Sequence, residues 1–436
     1  MKVNQKKKIL LVNAHYLHRR GFIAKLMAKF LTNPLLTLPY VASSIPEEKY
    51  DVIAVDDAYK DPDFDEEYDL VAISTVTPAA PRAYQIADRF RESGKKVIMG
   101  GLHPSALPFE AIQHADSVVI GEAESSMPKL LSDFEKGKLK RFYKSERIEE
   151  NNIILPRRDI YKIEPLAAAV QTSRGCPYGC KFCILTSMHG RKYRPFPIDK
   201  IIEDIKRSKR KLIIMLHDAS LTISPQYAKA LFRRLKPLKK KIICYGSIPV
   251  LHRDEEILKL AREAGCVCWA LGFETIKQSN LNHVKRGHKV DMYRDVVSKI
   301  RKYDMCVFGS FIFGFDDDDA SVFDCTLDMV NEWDLDGVEF NILTPFPGTV
   351  LYKTLSAENR ILTRDWSKYN LREVVFLPKK MSPSELKKGV DRISMKFYSI
   401  DNVIRRILPY FLHMDMAKLI YVTGLNLSMF VFHIIH

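Results

Sequence analysis

Cysteine is scarce: eight residues in 436 cannot staple a chain of this length, which excludes a disulfide scaffold. Acidic residues are outnumbered, 53 Asp plus Glu against 68 Lys plus Arg. The resulting charge of +15 excludes an acidic solvating chain and leaves anionic substrates, nucleic acid or an anionic membrane surface. Internal repeats and low-complexity segments are missing. Long apolar runs are missing too. Behind the N-terminal lysines, Ile9–Val12 is too short for the core of an export signal and no small-residue cleavage site follows, so a cytoplasmic chain with reduced thiols is expected. The one long stretch without charge is Leu419–His436. Its length sits at the lower edge for crossing a bilayer, and Thr423, Gly424, Asn426 and Ser428 weaken a span. It reads as a helix packed on its own domain or as a peripheral membrane contact.

What is present is the composition of a globular protein, 46% apolar and 28% charged, long enough for two to three domains. Short apolar segments alternate with amphipathic ones. Strands are expected at Ile9–Asn13, Val52–Asp56, Leu70–Ser74, Lys96–Met99 and Ser117–Ile120, with helices such as Phe22–Leu31 and Arg82–Ser93 between them. Crossover helices imply an α/β fold with a doubly wound, Rossmann-like parallel sheet. Ligands of such sheets bind beyond the strands' carboxyl ends, here Asn13–His15, Asp56-Asp57, Ser74–Thr77, Gly100–Pro104 and Gly121–Glu124. A polar segment containing Pro156 follows as a linker. A second alternating run then places strands at Ala167–Ser173, Leu212–Leu216, Ile242–Ser247, Val267–Phe273, Val307–Phe313 and Gly337–Leu343. Intervening helices include Pro225–Leu235, Asp254–Ala264 and Ser321–Trp333. Six such units suggest a partial (β/α)6 barrel of the TIM type, with its chemistry at the strands' carboxyl ends. The expected division is 1–144, a linker 145–165, the barrel 166–349 and a C-terminal helical region 350–436.

Three of the eight cysteines fall within eight residues, Cys176-Pro-Tyr-Gly-Cys180-Lys-Phe-Cys183, directly after the first barrel strand. Three thiolates in one loop can hold three corners of an iron–sulfur cubane, whereas zinc usually takes four ligands in two pairs. A zinc site completed by a distant residue is the alternative. Pro177 and the flanking glycines permit the tight wrap. The other five, Cys244, Cys266, Cys268, Cys306 and Cys325, fall on strand or helix patterns and read as buried reduced thiols. Cys266 and Cys268, two apart, should share one face of a strand.

This loop, at the end of the first strand of a six-unit barrel, resembles the radical SAM superfamily. The N-terminal sheet resembles the cobalamin-binding domain fused to many of its members, through Ser74-Thr75, GGLHPSALP at 100–108 and GEAE at 121–124. The resemblance continues through AGC at 264–266, LGFE at 271–274, GSFIFGFDDD at 309–318 and TPFPGT at 344–349, and extends more loosely to cobalamin-dependent methylases of the group that includes hopanoid methylases. It implies a 4Fe–4S cluster on Cys176, Cys180 and Cys183. S-adenosylmethionine would lie near Phe182, Asp218, Gly272, Glu274 and Ser310. Cobalamin would lie near Ser74, Thr75, Gly100, Gly101, His103, Gly121 and Glu122. For several of these a plainer role stands beside the implied one: a barrel salt bridge for Glu274, a strand-to-loop turn for Gly100-Gly101. Only Asp218 is acidic where many relatives carry a pair. Asn13 and His18 depart from the D-x-H-x-x-G pattern of histidine-ligated cobalamin, and without a carboxylate to orient it His15 is not expected to bind cobalt. Arg191–Arg194 is either a holder of a substrate anion or a solvated basic face.

The resemblance further implies methylation of an unactivated carbon of a hydrophobic, lipid-like substrate, by way of a 5′-deoxyadenosyl radical and methylcobalamin, with flavodoxin or ferredoxin as electron donor. A non-methylating cyclisation or rearrangement of a pigment or natural product is the alternative. No basic stripe interleaves with aromatics, so nucleic acid is not an expected partner.

Overall fold

The computed structural model describes residues 6–16, 36–160, 167–208, 211, 213–285, 287–412 and 416–435. The helix expected at Phe22–Leu31 lies outside the described residues. Two parallel sheets organise the chain. The first contains β1 (Lys7–Asn13), β2 (Tyr50–Asp56), β3 (Leu70–Ser74), β4 (Lys96–Gly100), β5 (Ser117–Ile120) and β6 (Phe142–Lys144), in the order β2-β1-β3-β4-β5-β6. Leu10, Leu11, Val12, Val71, Val97 and Met99 are buried, as continuous β-branched and aliphatic runs are when helices cover both faces of a parallel sheet. The order reverses at β1. Chain connections therefore leave β1 and β3 in opposite directions and open a crevice beyond Asn13 and Ser74, which are register partners. Strand β6 was not expected: three residues are too short to show a period.

The second sheet contains β7 (Ala167–Gln171), β10 (Ile213–His217), β11 (Lys241–Gly246), β12 (Cys266–Glu274), β13 (Cys306–Phe313) and β14 (Gly337–Ile342), in the order β14-β13-β12-β11-β10-β7. All its pairs are parallel, and β7 and β14 are its two edges. The barrel is partial, as expected. Between β7 and β10 a small antiparallel hairpin joins β8 (Ser173–Arg174) to β9 (Arg194–Pro195). The expected strand Ala167–Ser173 thus ends at Gln171, and its last residue turns into this hairpin.

Side chains alternate across the sheet. Val170, Leu216, Cys244, Leu271, Phe311 and Phe340 are buried in the main core with the helices. On the opposite parity, Gln171, His217, Tyr245, Gly272, Ser310 and Glu339 stay partly exposed and face the barrel's interior. Nearer the strands' amino ends that inner face is apolar. There Ile243, Cys268 and Cys306 pack with Val422 and Tyr421 of the last helix, Met416–Ile435. Asn426 anchors this helix: its Nδ2 donates to the Asp336 carbonyl at 2.8 Å, and its Oδ1 accepts from Arg406 Nε at 3.0 Å. The uncharged tail therefore packs on its own barrel. No helix among the described residues is long and apolar enough to cross a membrane. Exposed apolar residues lie on the preceding helix, at Ile400, Ile404, Leu408, Phe411 and Leu412, and on the outer side of the last helix, at Met416, Ile420 and Leu427. Replacing Asn426 by Ala leaves a buried carbonyl and the buried Arg406 without their partner. About 1–3 kcal/mol of stability should be lost, read as a lower urea midpoint at unchanged m-value.

Two cysteine expectations need correction. Register slips between β11 and β12, with Ile242 opposite Cys266 and Ile243 opposite Cys268. That bulge breaks the alternation, so Cys266 packs beside Cys244 in the main core while Cys268 joins Cys306 and Val422. Cys325 is exposed on the helix Ser321–Glu332.

Candidate functional site

The cysteine loop begins where β8 ends. Gly175 has φ +79°, and a Cβ there would come within 2.0 Å of the Lys192 carbonyl, so only glycine lets the loop's two stems close. Cys176 N donates to the Gly190 carbonyl at 3.1 Å, and Cys183 N to the Cys180 carbonyl at 3.1 Å. A short helix, Ile184–His189, starts directly after Cys183. Cys180 is buried, while Cys176 and Cys183 are partly exposed. Among the described residues no group of three or more Cys, His, Asp or Glu is placed to hold a single metal ion. Three thiols in one loop match the donor set of a cubane, in which each thiolate meets a different iron.

The barrel's inner wall gathers several of the residues expected around S-adenosylmethionine. Gly272 and Ser310 are direct partners across β12 and β13, and Ser310 is in turn paired with Glu339 on β14. Asn341 Nδ2 donates to Ser310 Oγ at 3.4 Å, while its buried Oδ1 has no hydrogen-bond partner among the described residues. Register slips again between Gly272 and Glu274, and Glu274 sits at φ +66°. This sterically uncommon backbone re-aims the carboxylate at the strand's end. Phe182 leans against Phe315, ring centroids 6.3 Å apart, which joins the cysteine loop to the segment after β13. Asp218 is held by the protein itself: its oxygens accept from Thr172 Oγ1 at 2.6 Å and Ser220 N at 2.9 Å. Burial pushes the Asp218 carboxyl up from the usual range. Burial likewise lowers the His217 pKa, so the imidazole is neutral at pH 7. Its Nε2 is buried with no hydrogen-bond partner among the described residues, and its ring meets Tyr245 edge-on at 5.9 Å.

On the N-terminal sheet, Thr75 N donates to the Gly100 carbonyl at 3.1 Å. Gly101 has φ +101°, and a Cβ there would lie 2.6 Å from the Thr75 carbonyl and 3.0 Å from Ser74 Oγ. The ends of β3 and β4 are thus drawn together by a glycine, leaving backbone at the rim, a cradle of the kind a nucleotide tail needs. Gly121 N donates to Ser105 Oγ at 3.0 Å, which ties the next rim loop to this one. One expected rim residue, His103, faces elsewhere. His103 is fully buried; its Nε2 lies 3.0 Å from Tyr84 Oη and 3.2 Å from Glu110 Oε1. Trp366, from the C-terminal region, stands edge-on to it at 5.4 Å and donates to the same Glu110 oxygen at 2.9 Å. His15 stacks on Tyr16, and the nearby Asp57 carboxylate is taken by Arg82 at 2.8 and 3.0 Å.

Glu122 lies in the seam between the two sheets. Its Oε2 accepts from Arg174 Nη1 at 3.2 Å and Arg194 Nη1 at 3.0 Å, while Oε1 lies 2.9 Å from His189 Nδ1 and also accepts from Arg194 Nη2. Glu124 accepts from Arg174 Nη2 at 2.5 Å. Burial alone would raise the Glu122 pKa. The hydrogen bonds from His189 and Arg194 and the charge of Arg174 overcome it and hold the carboxylate well below its usual range. Arg194 is 1% exposed, so it is neither a solvated face nor free for a substrate anion. Sequence reading missed the pairing of Glu122 and Glu124 with Arg174, His189 and Arg194, 50 to 72 positions apart, and that of Glu110 with Trp366, 256 apart, because such long-range pairs leave no local signal.

A model of the B12 binding domain matches residues 30–131 and one of the radical SAM superfamily matches 170–329. The bacteriochlorophyllide d C-8(2)-methyltransferase of Chlorobaculum tepidum is 31% identical over 394 residues, covering 84% of this chain and 86% of that one. The C-12(1)-methyltransferase of the same organism is 30% identical over 353 residues, covering 78% and 77%. The solved structure of the radical S-adenosylmethionine methyltransferase TsrM from Kitasatospora setae, with cobalamin and a [4Fe-4S] cluster bound, shares the fold. Its TM-score is 0.68 at 14% identity, covering 89% of this chain and 88% of that one. The chain is a B12-binding member of the radical SAM superfamily, an enzyme whose cofactors are a 4Fe–4S cluster, S-adenosylmethionine and cobalamin.

Proposed function

We propose that this enzyme transfers a methyl group to an unactivated carbon of a hydrophobic small molecule. The observation that carries the reading is the seam: one carboxylate on the rim of the cobalamin-type sheet grips the stems of the cysteine loop. Two cofactor sites so joined can serve one substrate between them. When bound, the cluster with S-adenosylmethionine supplies hydrogen abstraction, and cobalamin supplies the methyl group. The protein's own part is placement. Cys176, Cys180 and Cys183 hold the cluster. Gly272, Ser310 and Glu274 line the wall where S-adenosylmethionine lies, and Asn341 Oδ1 offers that wall a buried acceptor that no donor among the described residues meets. Ser74, Thr75, Gly100 and Gly101 bring backbone up to cobalamin. The last helix closes the inner face from below, which keeps water from reactive carbon centres. Electrons come from an external one-electron donor of the flavodoxin or ferredoxin kind.

For the substrate, the relatives favour a flat pigment over a lipid. Two bacteriochlorophyllide methyltransferases stand at 30 and 31% identity, against 24% for the hopanoid C-3 methylase of Methylococcus capsulatus. One observation supports a second reading, ring closure without methylation. The anaerobic magnesium-protoporphyrin IX monomethyl ester cyclase of Cereibacter sphaeroides is 25% identical over 369 residues. S-adenosylmethionine deuterated in its methyl group separates the two. Incubated with bacteriochlorophyllide d under reducing conditions, the enzyme should yield a product carrying the labelled methyl. A product without label, formed together with 5′-deoxyadenosine, would establish cyclisation instead.

A further inference from the structure

We propose that Glu122 is a positioning residue that makes the two cofactor sites one cooperative unit, so that filling the cluster site tightens the cobalamin site and the reverse. The inference rests on the reading above that the cysteine loop carries the cluster. Its own basis is geometric. The three side chains that meet Glu122 straddle the loop: Arg174 stands two residues before Cys176, His189 ends the helix that starts after Cys183, and Arg194 lies on the returning strand β9. Both stems are therefore pinned to one carboxylate. That carboxylate belongs to the rim of the other sheet. Gly121, at φ +99°, donates to Ser105 in the loop that opens with Gly100-Gly101, and Glu122 Oε2 also accepts from Ile148 N at 3.3 Å. The chain of contacts runs from Gly101 through Ser105 and Gly121 to Glu122, and on to both stems of the cysteine loop.

Stability alone is a poor reason for this arrangement. Glu122, Arg174 and Arg194 are all under 8% exposed, and burying such charges costs most of what their pairing returns; apolar residues of similar volume hold a seam at least as well. What a charged seam adds is a single permitted geometry. An element that both ligands need in one arrangement couples their binding reciprocally, by factors of roughly 5 to 150 in known cases.

The test uses the full-length chain with and without a reconstituted cluster, and aquacobalamin as the probe. In the unaltered protein the cobalamin Kd should be about tenfold tighter with the cluster in place. In Glu122→Gln, which keeps the shape and removes the charge, that ratio should fall to within about twofold of unity. Tryptic cleavage at Lys181, Arg191 or Lys192 of the cofactor-free variant should also be faster, since the stems are released. Glu124→Gln, which leaves all the Glu122 contacts in place, should keep most of the ratio. If Glu122→Gln does not fold by far-UV circular dichroism, Arg194→Lys gives the same comparison with one donor weakened. A Glu122→Gln protein that folds and keeps the full cluster-dependent ratio overturns the proposal, as does an unaltered protein with no ratio at all. Failure of any cluster to form on the unaltered chain would instead overturn the functional reading, and the proposal with it.

Discussion

Cys180→Ala should abolish the visible absorbance of the reconstituted cluster and reduce 5′-deoxyadenosine formation to background. Cys180 is the middle cysteine of the loop and the buried one of the three. Removing it leaves two thiols for a cluster that needs three protein corners. The loss should be confined to the cluster. Alanine keeps the Cβ of cysteine, so nothing in the loop has to move to admit it. The loop's shape is set elsewhere, by Gly175 against Lys192, by Cys176 N on the Gly190 carbonyl, and by the grip of Glu122 on Arg174 and Arg194. The variant should therefore fold and still bind aquacobalamin, giving up only the gain that the cluster confers. Anaerobic reconstitution, iron and sulfide analysis and chromatography of the reaction mixture check this. Retained absorbance with continued 5′-deoxyadenosine release would remove Cys180 from the ligand set.

The parts of this molecule legible in the sequence are those whose cause is local. Strands β3 and β5 fall where the apolar runs place them, and the other expected strands lie within a few residues of theirs, because a half-buried or buried strand needs its apolar residues in a row. The cysteine loop is legible for the same reason: its three cysteines lie within eight residues. Gly272 and Ser310, 38 residues apart, were linked through the resemblance, and the β12–β13 register brings them side by side. What escaped is long-range or irregular. Glu122 was placed at the cofactor rim because its neighbours Gly121 and Ala123 end a strand there. Its actual partners come from a hairpin whose arginines carry no sign of burial in their own surroundings. The bulge that separates Cys266 from Cys268 depends on two adjacent strands slipping by one residue, which no single strand's pattern records. The last helix carries apolar residues all round, a composition shared by tails that enter membranes and tails that fill a barrel. Asn426, the polar residue that weakened a span, is the one the barrel hydrogen-bonds.

Gly101→Val should uncouple the sites from the cobalamin side, lowering cobalamin affinity by at least about 100-fold while leaving the cluster in place. The argument is steric. Gly101 has φ +101°, a conformation that β-branched side chains avoid strongly. Its Cβ would also lie 2.6 Å from the Thr75 carbonyl oxygen and 2.9 Å from Thr75 N, closer than non-bonded atoms approach. Neither neighbour is a flexible side chain that could swing away, so the ends of β3 and β4 must part. Thr75 N is held on the Gly100 carbonyl, and His103 N reaches the Thr75 carbonyl at 3.4 Å; both contacts distort together. If roughly 3 kcal/mol of that strain falls on the cobalamin-bound form, the affinity drops about 100-fold. The cysteine loop lies on the other sheet and makes none of these contacts, so iron content and cluster absorbance should stay near those of the unaltered protein. Gly94→Ala separates the two causes. Gly94 also has positive φ, +78°, but nothing lies within 4 Å of its added Cβ. That variant should show only the modest cost of backbone strain, about 1 kcal/mol in unfolding, with unchanged cobalamin binding. Equal cobalamin affinity in Gly101→Val and the unaltered chain would place the cofactor away from the β3–β4 rim.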